Sequence, residues 1–302
     1  MPTRRPSAPR RRARSSTGQG DGDGTVSTLH AIRNRPKITV NPEELADFNE
    51  SFNWCIYGDS GVGKTVFASF APRGYILSTE KGVISAKRVG SKAKLLRAPT
   101  WDHVEADIEW ADKNLTVQDV LIVDSVTKMQ DMALDWWLGI QHDENAARDR
   151  DIPQIQDHQK WQRMFMRFVN HLIDAHFNTI FVATAMRKED EEGDDLVLPN
   201  IVGKDYAIAQ NFCAAMDIVS CLRVKKRSDM DAPRESILIN DTFPPYFAKD
   251  RFNVLPRWET IPDGEVAEGD DTEGRYDSIA GMIEDILATS PEERKAAKAG
   301  RQ

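Results

Sequence analysis

The sequence predicts an α/β domain with a mainly parallel central sheet flanked by helices, and three observations carry that expectation. Short apolar runs alternate with stretches of helical periodicity from residue 52 to residue 239. One of those junctions is the octet Gly58, Asp59, Ser60, Gly61, Val62, Gly63, Lys64, Thr65, which has the glycine, four-residue, Gly-Lys-Thr spacing of a phosphate-binding loop. Further on, the nearly unbroken apolar run 117–124 closes on Asp124, the pattern of a central parallel strand with a carboxylate at its C-terminal end.

Length and composition set the bounds. A chain of 302 residues with 40% apolar content can bury a real core in one large domain or two small ones. No apolar run approaches the roughly 20 residues of a membrane span, and the early arginines have no apolar stretch behind them, so neither membrane association nor a secretory signal is expected. Cys55, Cys213 and Cys221 lack metal or redox spacing and read as core residues of a reducing compartment, the cytoplasm. Net charge is −8, unevenly spread: residues 1–40 hold nine Arg or Lys against Asp21 and Asp23, so the arm is +7 and the rest −15. Such an arm suits nucleic acid, or simply keeps the chain soluble.

The expected organisation is a disordered basic arm over 1–35, a core over 36–260 and an acidic tail over 261–302 with one amphipathic helix. Within the core, 52–57 reads as a buried strand, and Val66 continues the phosphate loop into a helix. A second strand, 74–80, ends on Glu80; 93–98 is a short strand and 101–114 a helix. After the strand that closes on Asp124, a helix places Val126, Met129 and Ala133 toward the sheet. Residues 141–156, polar and aperiodic, read as a mobile loop, followed by a long helix at 157–176. A buried strand over 179–184 leads into a second irregular stretch, 186–203. Residues 204–216 read as a helix, and 217–224 with 235–239 as a hairpin. In the tail, Ile279, Met282, Ile283, Ile286 and Leu287 fall on one helical face.

The chemistry follows from these placements. Glycines in the loop let the backbone turn its N–H groups inward at the positive end of the following helix, so a polyphosphate is the natural guest. Lys64 meets the β- and γ-phosphates, and Thr65 offers its hydroxyl to Mg²⁺. Asp124 is placed to hold that metal through water, or else to cap the next helix, for which Ser125 is equally suited. Glu80, just past the second strand, is the candidate that polarises the attacking water.

The ordered set GDSGVGKT, LSTE, LIVDSV, a strand ending Ala183-Thr184-Ala185, and then Ala248-Lys249-Asp250-Arg251-Phe252 resembles the RecA and RadA class of ATPases. It is most similar to that class's short phage members, nucleotide-binding proteins described as single-strand annealing recombinases, and the likeness spans about residues 50–255. The resemblance implies a RecA-like phosphate-loop core binding ATP and Mg²⁺ in a ring or filament of identical subunits, in the host cytoplasm if phage-encoded. It implies that Lys249 and Arg251 reach the neighbouring subunit's nucleotide, as an arginine finger does. It also places DNA-binding loops at 141–156 and 186–203, where Arg148, Arg150, Arg187, Lys188 and Lys204 meet single-stranded DNA, with a phage or host single-strand-binding protein as a further partner. The chain departs from the pattern twice. Glu189, Asp190, Glu191, Glu192, Asp194 and Asp195 make the second loop acidic, and the strand before it lacks the γ-phosphate-sensing glutamine, leaving Thr184 for part of that role.

The expected function is therefore an ATPase acting on single-stranded DNA in recombination or annealing. The alternative is a nucleotide-switched adaptor or loader whose main partner is a protein, which the acidic second loop and the C-terminal amphipathic helix favour. A small-molecule kinase is the weaker class, because no arginine-rich lid is visible.

Overall fold

The computed structural model describes residues 51–189, 192–201, 207–225, 235–262 and 273–288. The chain divides into units 1–49 and 50–302. The basic arm, the strand or linker near 36–40, Lys204, and the acidic residues Asp190 and Glu191 lie outside the described residues.

The first strand, β1 (Asn53–Gly58), is buried along its whole length, and the loop after it opens helix α1 (Lys64–Ser69). Next come β2 (Gly74–Ser78), α2 (Val83–Arg88), β3 (Lys94–Arg97), α3 (Trp101–Asn114), β4 (Val120–Asp124), α4 (Val126–Glu144) and α5 (Ile155–Ile173). The second half contains β5 (Asn178–Glu189), β6 (Asp195–Pro199), α6 (Ala207–Ala215), β7 (Ile218–Val224), β8 (Glu235–Ile239), β9 (Lys249–Asp250), β10 (Trp258–Pro262) and α7 (Glu273–Leu287).

These strands form one sheet in the order β10-β8-β7-β1-β5-β4-β2-β3. The six from β7 to β3 are parallel, while β8 and β10 extend the far side antiparallel. A parallel sheet needs cover on both faces, which is why β1, β4 and the first half of β5 read as continuous apolar runs. One face packs Tyr57, Leu77, Leu121 and Phe181 against α3, α4, α5 and α6. The other packs Trp54, Ile56, Ile122 and Val182 against α1 and α7, through Phe67 and through Ile279, Met282, Ile283 and Ile286. The amphipathic tail helix thus docks on its own core. Truncating a fully buried aromatic such as Phe181 would cost about 3–5 kcal/mol.

Polar groups inside the sheet are paired into chains. The Trp54 indole donates to Ser220 Oγ at 2.8 Å, Ser220 donates to Asn240 Oδ1 at 2.6 Å, and the Asn240 amide donates to the Pro256 carbonyl at 2.9 Å. This chain ties β1 and β7 to the loops that follow β8, because each group would otherwise carry an unpaid desolvation penalty of about 1–3 kcal/mol. The Tyr57 hydroxyl lies within hydrogen-bond distance of the Val197 and Phe247 carbonyls and serves one at a time.

Two expected loops differ from their reading. Among the described residues of 186–203, most are strand: β5 runs on to Glu189 and β6 pairs back along it, with Ala185 opposite Pro199 and Glu189 opposite Asp195. Val197, Leu198 and Pro199 give the returning strand its buried anchor, and Gly193 takes φ 88° near the turn. The run of charges at the tip hides that alternation in the sequence. Residues 141–156 are likewise more ordered than expected. Helix α4 continues to Glu144, and the connection to α5 is held by the Arg148 guanidinium on the buried Asp157 carboxylate. Asp157 also accepts from the Gln154 N–H and the Trp137 indole, forming part of a capping box at the start of α5. The second strand ends at Ser78, two residues short of Glu80, and β4 begins at Val120 rather than at residue 117.

Candidate functional site

Parallel pairing brings the ends of β1, β5, β4 and β2 to one edge of the sheet, with Gly58 opposite Thr184, Asp124 opposite Val182, and Ser78 opposite Asp124. A cleft of about 420 Å³ opens there, lined by the phosphate loop, Glu80, Asp124, Ser125 and Thr184, and closed from the far side by Leu222, Ser236 and Ile261. Gly58 is required by packing, since a Cβ there would sit 2.0 Å from the Leu222 carbonyl oxygen. Gly63 is required by its backbone, with φ 99° at the position that starts α1.

Lys64 is buried, and its ammonium donates to the Gly58 and Asp59 carbonyls at 3.0 and 2.8 Å. Burial lowers its pKa, against the pull of Asp124, Asp59 and Glu80. Thr65 lies beside the Asp124 carboxylate and favours its ionised form. Burial, helped by the charge of Glu80, pushes Asp124 up to about 6 against the opposing effects of Thr65 and Lys64. Lys64 is the cation in the cleft lining that offsets part of this cost.

Glu80 is held from two sides. Its Oε1 accepts from Ser125 Oγ at 2.6 Å, and its backbone carbonyl accepts from Ser78 Oγ at 2.6 Å. Ser125 also caps α4 by accepting from the Lys128 N–H at 3.2 Å, so the cap is Ser125 and Asp124 is left to face the cleft. Two bonds lace the strand ends together, with Thr79 N–H donating to the Asp124 carbonyl at 2.9 Å and Ser125 N–H to the Thr79 side-chain Oγ1 at 3.1 Å.

Thr184 ends the buried part of β5 beside the cleft. Its N–H donates to Thr127 Oγ1 at 3.0 Å, its carbonyl accepts from the Asn200 N–H at 2.7 Å, and the Asn200 carbonyl accepts from the Gln130 amide at 3.0 Å. Sequence reasoning missed Thr127 and Asn200, because nothing in their spacing marks them. It also missed Leu222 of β7 and, from the antiparallel strands beyond it, Ser236 of β8 and Ile261 of β10. The link from Ser125 to Glu80 is readable only once β2 and β4 are known to be neighbours.

The other predicted residues are dispersed. Arg187 donates to Asp59 Oδ2 at 2.7 Å, so the base of the hairpin is fastened to the phosphate loop. Arg148 is engaged with Asp157, Arg150 lies against Gly139 of α4, and Lys188 is on β5 opposite Leu196. Lys249 pairs in register with Val219, on the half of β7 away from the cleft, and donates to the Cys213 and Ala214 carbonyls at the end of α6. Arg251 binds Asp217 Oδ1 at 2.6 Å and the Ala214 carbonyl at 3.3 Å. These cations complement the negative end of that helix and are remote from this chain's own cleft.

Among the described residues no group of three or more His, Cys, Asp or Glu side chains is set to hold a metal unaided. The Thr65–Asp124 pair fits a cation that phosphates help to hold, and the glycine turns, with open space at Gly61 and Gly63, fit the phosphates. No described helix is long and apolar enough to cross a membrane.

A six-strand parallel core, a glycine loop closing on Gly-Lys-Thr at the end of β1, and an acidic strand end beside it define a nucleotide-binding P-loop NTPase fold. The AAA domain model matches residues 51–252, and the chain belongs to that family. Among solved structures, the flagellar accessory protein FlaH from Methanocaldococcus jannaschii is similar at 9% identity and a TM-score of 0.34, over 70% of this chain and 84% of that one. The sequence has no match among curated proteins.

Proposed function

We infer that this chain is a Mg²⁺-dependent ATPase that works as a homo-oligomer on single-stranded DNA, in recombination or annealing of the phage type. The observation that carries the ATPase reading is the Glu80–Ser125 hydrogen bond, which holds a carboxylate at the rim of the cleft that contains Lys64, Thr65 and Asp124. Bound Mg²⁺ would supply charge neutralisation for the phosphates. Thr65 and Asp124 are the residues that would hold it, the loop N–H groups and Lys64 bind the phosphates, and Glu80 accepts a proton from water. Lys249 and Arg251, too far from their own cleft, are the groups a neighbouring subunit would receive. The single-strand reading rests on the ordered motifs and their resemblance. A host-cytoplasm location and a single-strand-binding partner go with it.

Phosphate release measured with and without single-stranded DNA, across a range of protein concentration, tests the whole proposal. Hydrolysis that is Mg²⁺-dependent, rises more than linearly with protein and is stimulated by DNA is the expected result. A second reading, a nucleotide-switched adaptor for a protein partner, is favoured by the hairpin whose tip carries Glu189, Glu192, Asp194 and Asp195 and whose base is bonded to the phosphate loop. Hydrolysis indifferent to DNA would select it.

A further inference from the structure

Strands β7, β8 and β10 alternate their side chains between two faces. Leu222, Ser236 and Ile261 point into the nucleotide cleft, while their neighbours Arg223, Ile237 and Thr260 line a second cavity on the opposite face. That cavity holds about 520 Å³, inside the roughly 300–1,000 Å³ range of ligand clefts. Its floor is apolar, from Ile237 and Ile239. Its rim carries two large aromatic side chains left in solvent, Phe243 at 66% and Trp258 at 64% exposure.

Arg223, Lys225 and Arg257 line the same cavity as those rings. Arg223 lies over the Tyr246 ring at 4.9 Å, Lys225 is paired with Glu235 at 2.8 Å, and Arg257, 87% exposed, is 3.5 Å from Asp241. The two ion pairs lie at the surface and are exchangeable, each worth at most about 1 kcal/mol. The register places Arg223 level with Ile237 and Thr260, and Trp258 level with Ile239, so Arg223 and Trp258 share one face two strands and two residues apart, ~12 Å between backbone positions. Exposed aromatic rings for bases with cations alongside for phosphates is the chemistry of single-strand binding. It stands on a body that is otherwise strongly acidic.

The two loops expected to meet DNA offer less. Arg148 is committed to the buried Asp157, and the hairpin tip that follows Arg187 is acidic.

We propose that the face formed by Arg223, Phe243, Arg257 and Trp258 binds single-stranded nucleic acid, stacking a base on Trp258 and setting phosphates against the arginines. This rests on the single-strand reading of the function and locates it. A fluorescein-labelled oligothymidine, followed by anisotropy at several salt concentrations, is the test, with binding of a fluorescent ATP analogue and sedimentation as parallel readouts. Trp258→Ala should bind the oligonucleotide roughly 5- to 100-fold more weakly, Trp258→Phe should restore most of the affinity, and Arg223→Ala should reduce the salt slope by about 0.7. All three should bind the ATP analogue as the parent does. Unchanged oligonucleotide affinity in Trp258→Ala and Arg223→Ala, with the parent binding, overturns this location and leaves the single-strand function standing. No binding by the parent at 50 mM salt overturns both. A change in sedimentation with unchanged oligonucleotide affinity also overturns the proposal and makes the face a contact between copies.

Discussion

Arg187 of β5 and Asp59 of the phosphate loop are joined by a 2.7 Å ion pair across 128 residues of sequence. Both side chains are more than half exposed, so the pair adds little to stability, about 0–1 kcal/mol. Its consequence is mechanical: movement of the loop is felt at the base of the β5–β6 hairpin. Arg187→Ala should leave the melting temperature nearly unchanged but abolish any nucleotide-dependent protection of the hairpin from proteolysis. The reversed pair, Asp59→Arg with Arg187→Asp, should regain it.

Lys64 and Glu80 separate binding from turnover. Lys64→Ala removes the only cation inside the described cleft lining and should weaken ATP-analogue binding at least ~100-fold by calorimetry. Glu80→Gln keeps the shape and the bond from Ser125, so binding should persist while steady-state phosphate release falls by about 10²–10⁴. Normal turnover in Glu80→Gln would remove that carboxylate from the reaction.

Ser125 has two jobs, and Ser125→Ala should show both. Loss of the cap on α4 costs about 0.5–2 kcal/mol in denaturant unfolding. Loss of the bond to Glu80 should lower kcat with little change in KM, whereas Ser125→Thr should recover a large part of each.

Asp124 gives a pH signature. Its carboxyl is raised to about 6 in the folded protein, above the ordinary value of about 4, so the folded state holds the extra proton between those limits. The stability this provides is fully present below about pH 4 and is lost as pH rises through 6. Asp124→Asn should therefore melt higher than the parent at pH 7.5, by the equivalent of about 1–3 kcal/mol, with the difference vanishing near pH 4. Addition of Mg²⁺ with an ATP analogue should stabilise the parent and not the variant.

Lys249 and Arg251 are tested by mixing. The double alanine variant loses the bonds that end α6 and should be destabilised by about 1–2 kcal/mol while still binding an ATP analogue. If the cations serve the adjoining subunit, mixing this variant with Glu80→Gln should restore part of the hydrolysis that neither has alone. Mixtures as inactive as their parts would sink the role.

The phosphate loop, Asp124 and the parallel core were legible because each is written locally: a fixed spacing, a strand-end carboxylate, apolar runs of strand length. The pairing of β5 with β6 was not, because Arg187, Lys188 and Glu189 are exposed on both faces of the strand and erase the period that buried Val197 and Leu198 restore only once the strands are paired. Arg148 and Arg187 looked like phosphate ligands because their partners, Asp157 and Asp59, are carboxylates that only the tertiary fold brings near. Likewise the closure of the cleft by Leu222, Ser236 and Ile261 depends on strands that lie far along the chain.

Because β7, β8 and β10 send successive side chains to opposite faces, the two cavities share a partition one backbone thick. Deleting a single residue from β8 would therefore not merely shorten it. It would deliver Ser236 to the aromatic side and Ile237 to the triphosphate side, scrambling both compartments with one genetic event.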